Sequence, residues 1–383
     1  MGWDVGVNMA EIKDLPVQYV KFTTKRRFGI ELEVSKKVTL EVLANAVRSA
    51  DHSKVCISSN HYQQDNGNNY WHCKFDRSCG DKANEGGWEV ASYVASGAKD
   101  LIKIAGIGTA LKKAGAVVND NCGYHIHCEI KDFEAHHAAN LVAYWMKIEP
   151  MIYEILPKSR KTGKIAIYCR PLRDMKPIND NHLKTPETFW QRVRPLSFDN
   201  IERRVSLNMC NYALGTSYKR TAELRLPEGT LEESEIKNWA RLFVHFVNYC
   251  KKARFPENIT PVTTLREVAI ILGLHNEDPF YILSKGLYET KTWFLNRALK
   301  FSGKKAVKVE AQDFLNFIVP PMTTSSPMLR YSYANEEPVP KKKKDDGSLY
   351  SYMKTKSEKP VKKKIEDSNY WMDYSAEAQE DLW

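Results

Sequence analysis

Phe28-Gly29-Ile30-Glu31-Leu32-Glu33-Val34 alternates aliphatic and acidic side chains. In a β-strand, successive side chains point to opposite faces, so the aliphatic residues would share one face and the two glutamates the other. Two carboxylates side by side repel each other unless a cation lies between them. The stretch therefore predicts a strand with an apolar back and a charged front that suits a cation. The alternative is a charged strand face that is exposed to solvent and binds no cation.

Two further segments repeat this two-residue spacing. Asn121-Cys122-Gly123-Tyr124-His125-Ile126-His127 places two histidines on one face, and imidazole binds divalent metals and contacts phosphate oxygens. Ala222-Glu223-Leu224-Arg225 places a carboxylate beside a guanidinium, which suits a site where metal and phosphate meet. Taken singly, these segments have plainer explanations, namely core histidines and a cross-strand salt bridge.

Together the segments predict one polar sheet face. Gly86-Gly87-Trp88-Glu89-Val90 adds another carboxylate on a strand. A face that carries Glu31, Glu33, Glu89, Glu223 and a histidine needs bound cations to offset the repulsion between its carboxylates. Oxygen ligands with one imidazole suit Mg²⁺ or Mn²⁺ better than a structural Zn²⁺. The spacing leaves open which histidine of the pair binds the metal.

Strands and helices are mixed irregularly along the chain, which favours an α+β fold. Strands are predicted at residues 28–34, 70–76 and 87–94 and within 116–130, with a hairpin formed by 201–210 and 220–227. Helices are predicted at residues 39–50, 99–114, 132–156, 186–194, 232–252, 265–272 and 281–299. Asp132 is the expected N-cap of the third helix. The predicted architecture is a curved, mainly antiparallel sheet with a polar, metal-binding face, backed by helices.

Composition and charge indicate a globular protein with an anionic ligand. The chain has 383 residues, of which 43% are hydrophobic and 27% charged, and its net charge is +10. Both ATP and nucleic acid suit a basic protein. No apolar run approaches the roughly 18 residues that span a bilayer, and the start of the chain does not resemble a secretory signal. The eight cysteines stand singly, as reduced thiols do in a cytosol. A cytoplasmic protein without a membrane partner is expected.

Sequence character divides the chain into three parts. Residues 1–255 carry all the motifs and form the predicted catalytic domain, and residues 256–320 form a helical extension. Residues 321–383 lose hydrophobic periodicity and gain lysine blocks, so a charged, disordered tail is predicted. The acidic and aromatic end of this tail is either a docking segment for a protein partner or simply solvated.

In their order along the chain, these motifs resemble the amidoligase family, a branch of the glutamine-synthetase-like, ATP-dependent carboxylate–amine ligases found in phage and bacterial operons. The matching stretches are residues 28–33, 71–78, 87–90, 122–127, 207–208 and 223–225. The resemblance implies a catalytic domain of the glutamine-synthetase type, in the cytoplasm of a bacterium or of a phage-infected host.

The resemblance also implies a role for each matching residue. It assigns the divalent cations to Glu31, Glu33, Glu89, His125 and Glu223. It assigns ATP to His127, Arg225, Arg204 and Asn208, the first two of which would be catalytic. It places Asp76 and Ser78 on the substrate side.

The implied reaction forms an amide bond. With Mg²⁺ or Mn²⁺ bound, the γ-phosphoryl group of ATP would move to a carboxylate, and an amine would attack the resulting acyl phosphate. The carboxylate and the amine, on small molecules or peptides, are not specified by the sequence. The chain departs from the family at Ala91-Ser92-Tyr93, where a Ser-Pro-Pro-like turn is usual, so the substrate-side loop is expected to differ.

Two other functions fit parts of the pattern. A metal-dependent hydrolase could use the same histidines and glutamates to activate water, and it would need no nucleotide. A non-enzymatic protein that binds nucleic acid or belongs to a virion could use the basic body and the lysine blocks, although no RNA-binding signature is present. Basic residues between 158 and 176, among them Arg160 and Arg173, would either clamp phosphates or form a solvated loop.

Overall fold

A computed structural model describes residues 25–58, 70–80, 85–162, 165–215, 220–272, 274 and 285–318. All of these residues belong to the compact unit Met1–Met322. The predicted tail, residues 321–383, and its docking segment lie outside the described residues. The predicted division between a catalytic domain and an extension at residue 255 stays a prediction.

The described strands form one eight-stranded sheet. They are β1 Arg27–Ser35, β2 Val55–Ser58, β3 Trp71–Asp76, β4 Gly87–Ala91, β5 Ala95–Ser96, β6 Tyr124–Glu129, β7 Leu207–Asn208 and β8 Thr221–Leu224. The order across the sheet is β2-β3-β4-β1-β6-β8-β7, with β5 beside the start of β1. Neighbouring strands are antiparallel except β2 and β3, which are parallel.

Helices pack against the apolar back of this sheet and against one another. They are α1 Leu40–Asp51, α2 Gly97–Lys113, α3 Ala135–Glu154, α4 Lys158–Lys161, α5 Leu172–Met175, α6 Pro186–Val193, α7 Asn200–Arg203, α8 Cys210–Ala213, α9 Glu233–Lys252, α10 Leu265–Ile271, α11 Lys285–Phe301 and α12 Lys305–Ile318. Helix α1 packs against β2 and β3, α9 packs against β6, and α2 lies between α1 and α9.

The alternation predicted for β1 is present. Its aliphatic and aromatic residues point to the helices and are at most 2% exposed, so they contribute to folding by leaving water. Because side chains alternate along a strand, Glu31 and Glu33 point to the opposite face. An open, mainly antiparallel sheet with one polar face and helices on the other confirms the predicted α+β class.

The predicted N-cap of α3 is wrong. The helix begins at Ala135, and Glu134 is its cap. Asp132 instead forms ion pairs with Arg26, at 2.8 Å, and with Lys251, at 2.5 Å. A long-range pairing of this aspartate therefore outweighs its local preference for a cap position.

Several strand predictions are longer than the strands themselves. The strand predicted at residues 87–94 ends at Ala91. Within residues 116–130 only β6 is a strand. The predicted hairpin is present as an antiparallel pair, but its strands are limited to β7 and β8. Residues 200–203, just before β7, form the short helix α7.

Helix α11 is joined to the rest of the unit by Arg297. Its guanidinium donates to both carboxylate oxygens of Glu228, at 2.7 and 2.8 Å, and to Glu235, at 2.5 Å. It also lies over the rings of Trp239, Trp293 and Phe301.

None of the helices in the described part of the chain combines the length and the apolar character that crossing a membrane requires.

Candidate active site

Cross-strand pairing brings the acidic and histidine motifs together on the polar face. The directly opposed pairs are Glu33 with Glu89, Glu31 with His125, His127 with Glu223, and Glu223 with Asn208. Opposed residues in an antiparallel pair have Cβ atoms about 4.5–5.5 Å apart, close enough for their side chains to meet. Five strands therefore contribute to one continuous row of polar groups.

Glu31, His127 and Glu223 form a three-ligand group, whose ligand atoms all lie within 4.8 Å of one another. The His127 Nε2 atom is 3.0 Å from Glu31 Oε1 and 3.9 Å from Glu223 Oε1. A single cation between them could contact one imidazole nitrogen and two carboxylate oxygens. This donor set fits Mg²⁺ or Mn²⁺.

The carboxylates of this group are held in the ionised form. Burial raises the pKa of Glu31, but the charge of His127 and hydrogen bonds from both histidines outweigh it and hold the pKa well below its usual range. Burial likewise raises the pKa of Glu223, and Arg225 and the two histidines lower it overall. Both groups therefore carry the negative charge that a cation requires.

His125 contacts three glutamates from the centre of the row. Its Nδ1 is 3.1 Å from Glu31 Oε2 and 3.8 Å from Glu223 Oε1, and its Nε2 is 3.6 Å from Glu33 Oε1. Burial, and then the charge of Arg225, lowers the pKa of this imidazole. A lowered pKa favours the neutral ring, which is the form that binds metals. The resemblance gave the metal to His125 and phosphate to His127; in the structure, His127 completes the three-ligand group and His125 adjoins it.

Glu33 is positioned by the backbone of Gly123. The Gly123 N–H donates to Glu33 Oε2 at 2.5 Å. Burial raises the pKa of Glu33 well above its usual range, and the negative charges of Asp76 and Glu89 raise it further. A Cβ atom at position 123 would lie 2.8 Å from His125 Nε2 and 3.3 Å from Glu33 Oε2. A side chain at position 123 would therefore force the imidazole of His125 to shift.

Arg225 directly follows β8 and shares Glu223 with the three-ligand group. Its Nη1 hydrogen bonds to Glu223 Oε1, and its Nε donates to the Tyr168 carbonyl at 3.4 Å. Arg160, which is buried, donates to the carbonyl of Arg225 at 2.6 Å and to that of Leu226 at 3.0 Å. Arg160 is thus engaged with the backbone that carries Arg225.

Arg204 contacts Tyr168, a residue that Arg225 also contacts. Its guanidinium lies over the ring of Tyr168, 4.5 Å from the centroid. The carbonyl of the same tyrosine accepts from Arg225, so Tyr168 contacts both arginines. Tyr168 therefore connects Arg204 to Arg225.

Asn208 holds Glu223 in place. Its Nδ2 donates to Glu223 Oε2 at 2.7 Å, and its Oδ1 accepts from the Cys210 N–H at 2.9 Å. Both ends of the side-chain amide are engaged in these bonds. Asn208 was predicted to bind nucleotide, and in the structure its contacts are those of a residue that orients a carboxylate.

Asp76 and Ser78 form a turn at the end of β3. Asp76 Oδ1 accepts from the backbone N–H of Ser78 at 2.6 Å and from its hydroxyl at 2.5 Å. The charge of Asp76 acts on Glu33 and Glu89. The turn therefore borders the Glu33 and Glu89 end of the row.

Lys74 belongs to the polar face and was missed from the sequence. It lies opposite Glu89 on β4, with its Nζ 2.9 Å from Glu89 Oε1. The signal was available, because position 74 precedes Asp76 by two residues in a predicted strand and must share its face.

The row opens to solvent at its middle. The side chains of Glu31 and His127 are each 21% exposed, whereas those of Glu33, Glu89 and Glu223 are at most 5% exposed. The three-ligand group is therefore the part of the row that a ligand can reach from solvent.

A family model described as "putative amidoligase enzyme" matches residues 24–247. No curated protein matches the chain. Among the solved structures that match, one described as a "novel glutamine synthase homolog" shares 13% sequence identity, covers 76% of this chain and 70% of that chain, and superposes with a TM-score of 0.34. Because the family model spans more than half of the 383 residues, the chain belongs to the amidoligase family, as its motifs predicted.

Proposed function

We propose that this protein is an ATP-dependent carboxylate–amine ligase that works through an acyl phosphate and uses Mg²⁺ or Mn²⁺. Membership of the amidoligase family supports a ligase-type enzyme. The observation that carries the finer proposal is the sharing of Glu223 between the three-ligand group and Arg225. A phosphoryl group in transfer is stabilised by positive charges around its oxygens. A cation and a guanidinium held by the same carboxylate would supply two such charges.

The cation and ATP would bind at the open middle of the row. When bound, the divalent cation neutralises the charge of the phosphate oxygens. Glu31, His127 and Glu223 would hold it, and Asn208 keeps Glu223 oriented. His125 adjoins this group and would serve as a further ligand.

Arg225 would stabilise the phosphoryl group as it moves. Burial lowers the pKa of this arginine, but Glu223, Glu33 and Glu31 more than offset it and raise the pKa overall. The guanidinium therefore stays charged and presents a fixed set of donors. Arg160 fixes its backbone, so the donors are held in place before the substrate arrives.

The proposed reaction has two steps. An oxygen of the substrate carboxylate attacks the γ-phosphorus of ATP, the bond to the β-phosphate oxygen breaks, and ADP leaves. The nitrogen of the amine then attacks the acyl carbon, inorganic phosphate leaves, and the nitrogen loses a proton to give the amide. The substrates would be a carboxylate and an amine carried by small molecules or peptides, and the turn at Asp76 and Ser78 would face them.

The test is turnover of ATP by the purified full chain with a panel of carboxylates and amines. ADP and phosphate should appear only when both substrate classes are present, together with a product lighter than the summed substrates by one water. A hydrolase that uses the same ligands would act without ATP. A nucleic-acid-binding protein would leave ATP unchanged and would bind DNA or RNA with an affinity that falls steeply with salt.

Arg225→Ala tests the assignment of the guanidinium. Losing one positioned charge at a developing oxyanion costs about 3–4 kcal/mol of barrier, or a few hundredfold in rate. Arg48→Ala is the matched control, because Arg48 forms an exposed ion pair with Glu41 on α1. It should keep full turnover. Full turnover in Arg225→Ala would refute this role, and amide formation without ATP would refute the ligase proposal.

A thermal shift checks the cation independently of turnover. Mg²⁺ with ATP should raise the midpoint of unfolding and EDTA should reverse the shift, since a ligand that binds only the folded state stabilises it by about 2.7 kcal/mol at a hundredfold excess over Kd. An unchanged midpoint at saturating Mg²⁺ and ATP would argue against the cation site.

A further inference from the structure

Lys74 introduces a positive charge into the row of carboxylates. It is on β3, directly opposite Glu89, and its ammonium lies 2.9 Å from Glu89 Oε1. The side chain of Lys74 is 26% exposed and that of Glu89 is 5% exposed. The charged ends of this pair thus meet in a largely buried part of the polar face.

The surroundings of Lys74 are those of a cation position. The negative charge of Glu89 raises the pKa of Lys74 most, burial lowers it, and Glu31 and Asp76 raise it further. Glu33 lies opposite Glu89 on the neighbouring strand. Lys74 therefore lies among carboxylates carried by β1, β3 and β4.

The end of the row at Glu89 differs from its middle in the residues that surround the carboxylate. Among the described residues of the sheet, the three-ligand group is Glu31, His127 and Glu223. Glu89 is not part of that group, although the sequence placed it among the metal ligands. Among the residues that the structure describes, its ion-pair partner is Lys74 rather than a histidine.

We propose that the ammonium of Lys74 occupies a cation position of this site, so that Glu89 serves as its counter-ion and the divalent cations bind around Glu31, His127 and Glu223. The inference rests on the proposed function in one respect, since it takes the three-ligand group to be a cation centre. The physical reason is simple. A divalent ion at Glu89 would have to displace a covalently tethered ammonium or bind beside it against like-charge repulsion.

The number of bound Mn²⁺ ions tests this inference without any substrate. Free Mn²⁺ is counted by electron paramagnetic resonance during titration of the full-length protein. Lys74→Met keeps most of the side-chain length and removes the charge, so it should bind one more Mn²⁺ per chain than the wild type. Lys74→Arg keeps the charge and should give the wild-type count.

Glu89→Gln supplies the matched control. In the Lys74→Met background it should remove the additional Mn²⁺ and restore the wild-type count, because Glu89 would be a ligand of the added ion. In the wild-type background it should leave the count unchanged, because no divalent ion is bound there.

Two results would overturn the inference. One is a Lys74→Met protein, folded by its thermal midpoint, that binds the same number of ions as the wild type. The other is loss of a Mn²⁺ from the single variant Glu89→Gln, and this measurement decides the matter if Lys74→Met does not fold.

The same titration separates this inference from the proposed function. A wild type that binds no Mn²⁺ overturns the cation centre and the role of Lys74 together. The expected pattern of counts without any ATP-dependent ligation supports the role of Lys74 and overturns the ligase alone.

Discussion

Arg297→Ala should be among the most destabilising single substitutions in the unit Met1–Met322. Arg297 is 4% exposed and makes ion pairs with Glu228 and Glu235. Its Nε also donates to the Ile155 carbonyl at 3.1 Å. Truncation removes all of these hydrogen bonds at once and leaves two half-buried carboxylates facing a cavity.

The expected loss is about 3–5 kcal/mol, the range for breaking a buried ion pair by removing one partner. The stacked rings add to this figure, because a largely desolvated cation over an aromatic face contributes about 2 kcal/mol. Glu228→Gln combined with Arg297→Ala should cost less than the sum of the single changes, because it removes one of the carboxylates that the first change leaves unpaired.

Urea denaturation followed by circular dichroism measures the free energy of unfolding. Arg27→Ala is the matched control, because Arg27 makes two hydrogen bonds to Glu129 with half of its side chain in solvent. An exposed pair of this kind contributes only about 0–1 kcal/mol. A loss below about 1 kcal/mol for Arg297→Ala, the surface-pair range, would refute the reasoning, since it would mean that burial does not distinguish the two pairs.

Two further substitutions test the site and its support. Gly123→Ala should weaken Mn²⁺ binding at least tenfold, or about 1.4 kcal/mol, because the added methyl would lie 2.8 Å from His125 Nε2. An unchanged affinity in the Mn²⁺ titration would mean that the methyl group does not disturb the imidazole. Asp132→Asn tests a pH dependence of stability. Burial raises the pKa of Asp132, but hydrogen bonds from Arg26 and Lys251 outweigh it and hold the pKa well below its ordinary 3.8. The wild type should therefore be more stable than Asp132→Asn by about 1 kcal/mol at neutral pH, and this advantage should shrink as the pH falls below 3.8 towards the lower folded-state pKa; an advantage that stays constant in acid would contradict the ion-pair explanation.

The polar face could be predicted because its signal is local. The two-residue spacing within each strand already states which side chains share a face, and Glu31, His125 and Glu223 were identified in this way. The order of the strands could not be derived in the same manner. Glu31 pairs with a histidine 94 positions away, and no spacing within either segment specifies that partner.

Residues whose contacts are made by other segments were harder to predict. Asp132 has the chemistry of an N-cap, but Arg26 and Lys251, distant in sequence, engage its carboxylate. Arg160 reads as a solvated or phosphate-binding residue of a basic segment, yet it is buried against the backbone of Arg225. In each case a long-range contact overrides the local preference of the residue.

The ion pairs of Arg297 with Glu228 and Glu235 have a consequence for how this protein can diverge from its relatives. Helix α11 lies beyond the residues that the family model matches, 24–247, whereas Glu228 and Glu235 lie within them. Glu228 also forms a backbone bridge with Gly123, the residue that positions Glu33. The matched region therefore contains two acidic side chains whose cationic partner comes from outside it. A relative that has lost helix α11 should carry uncharged residues at both positions, or should supply a cation there from another segment.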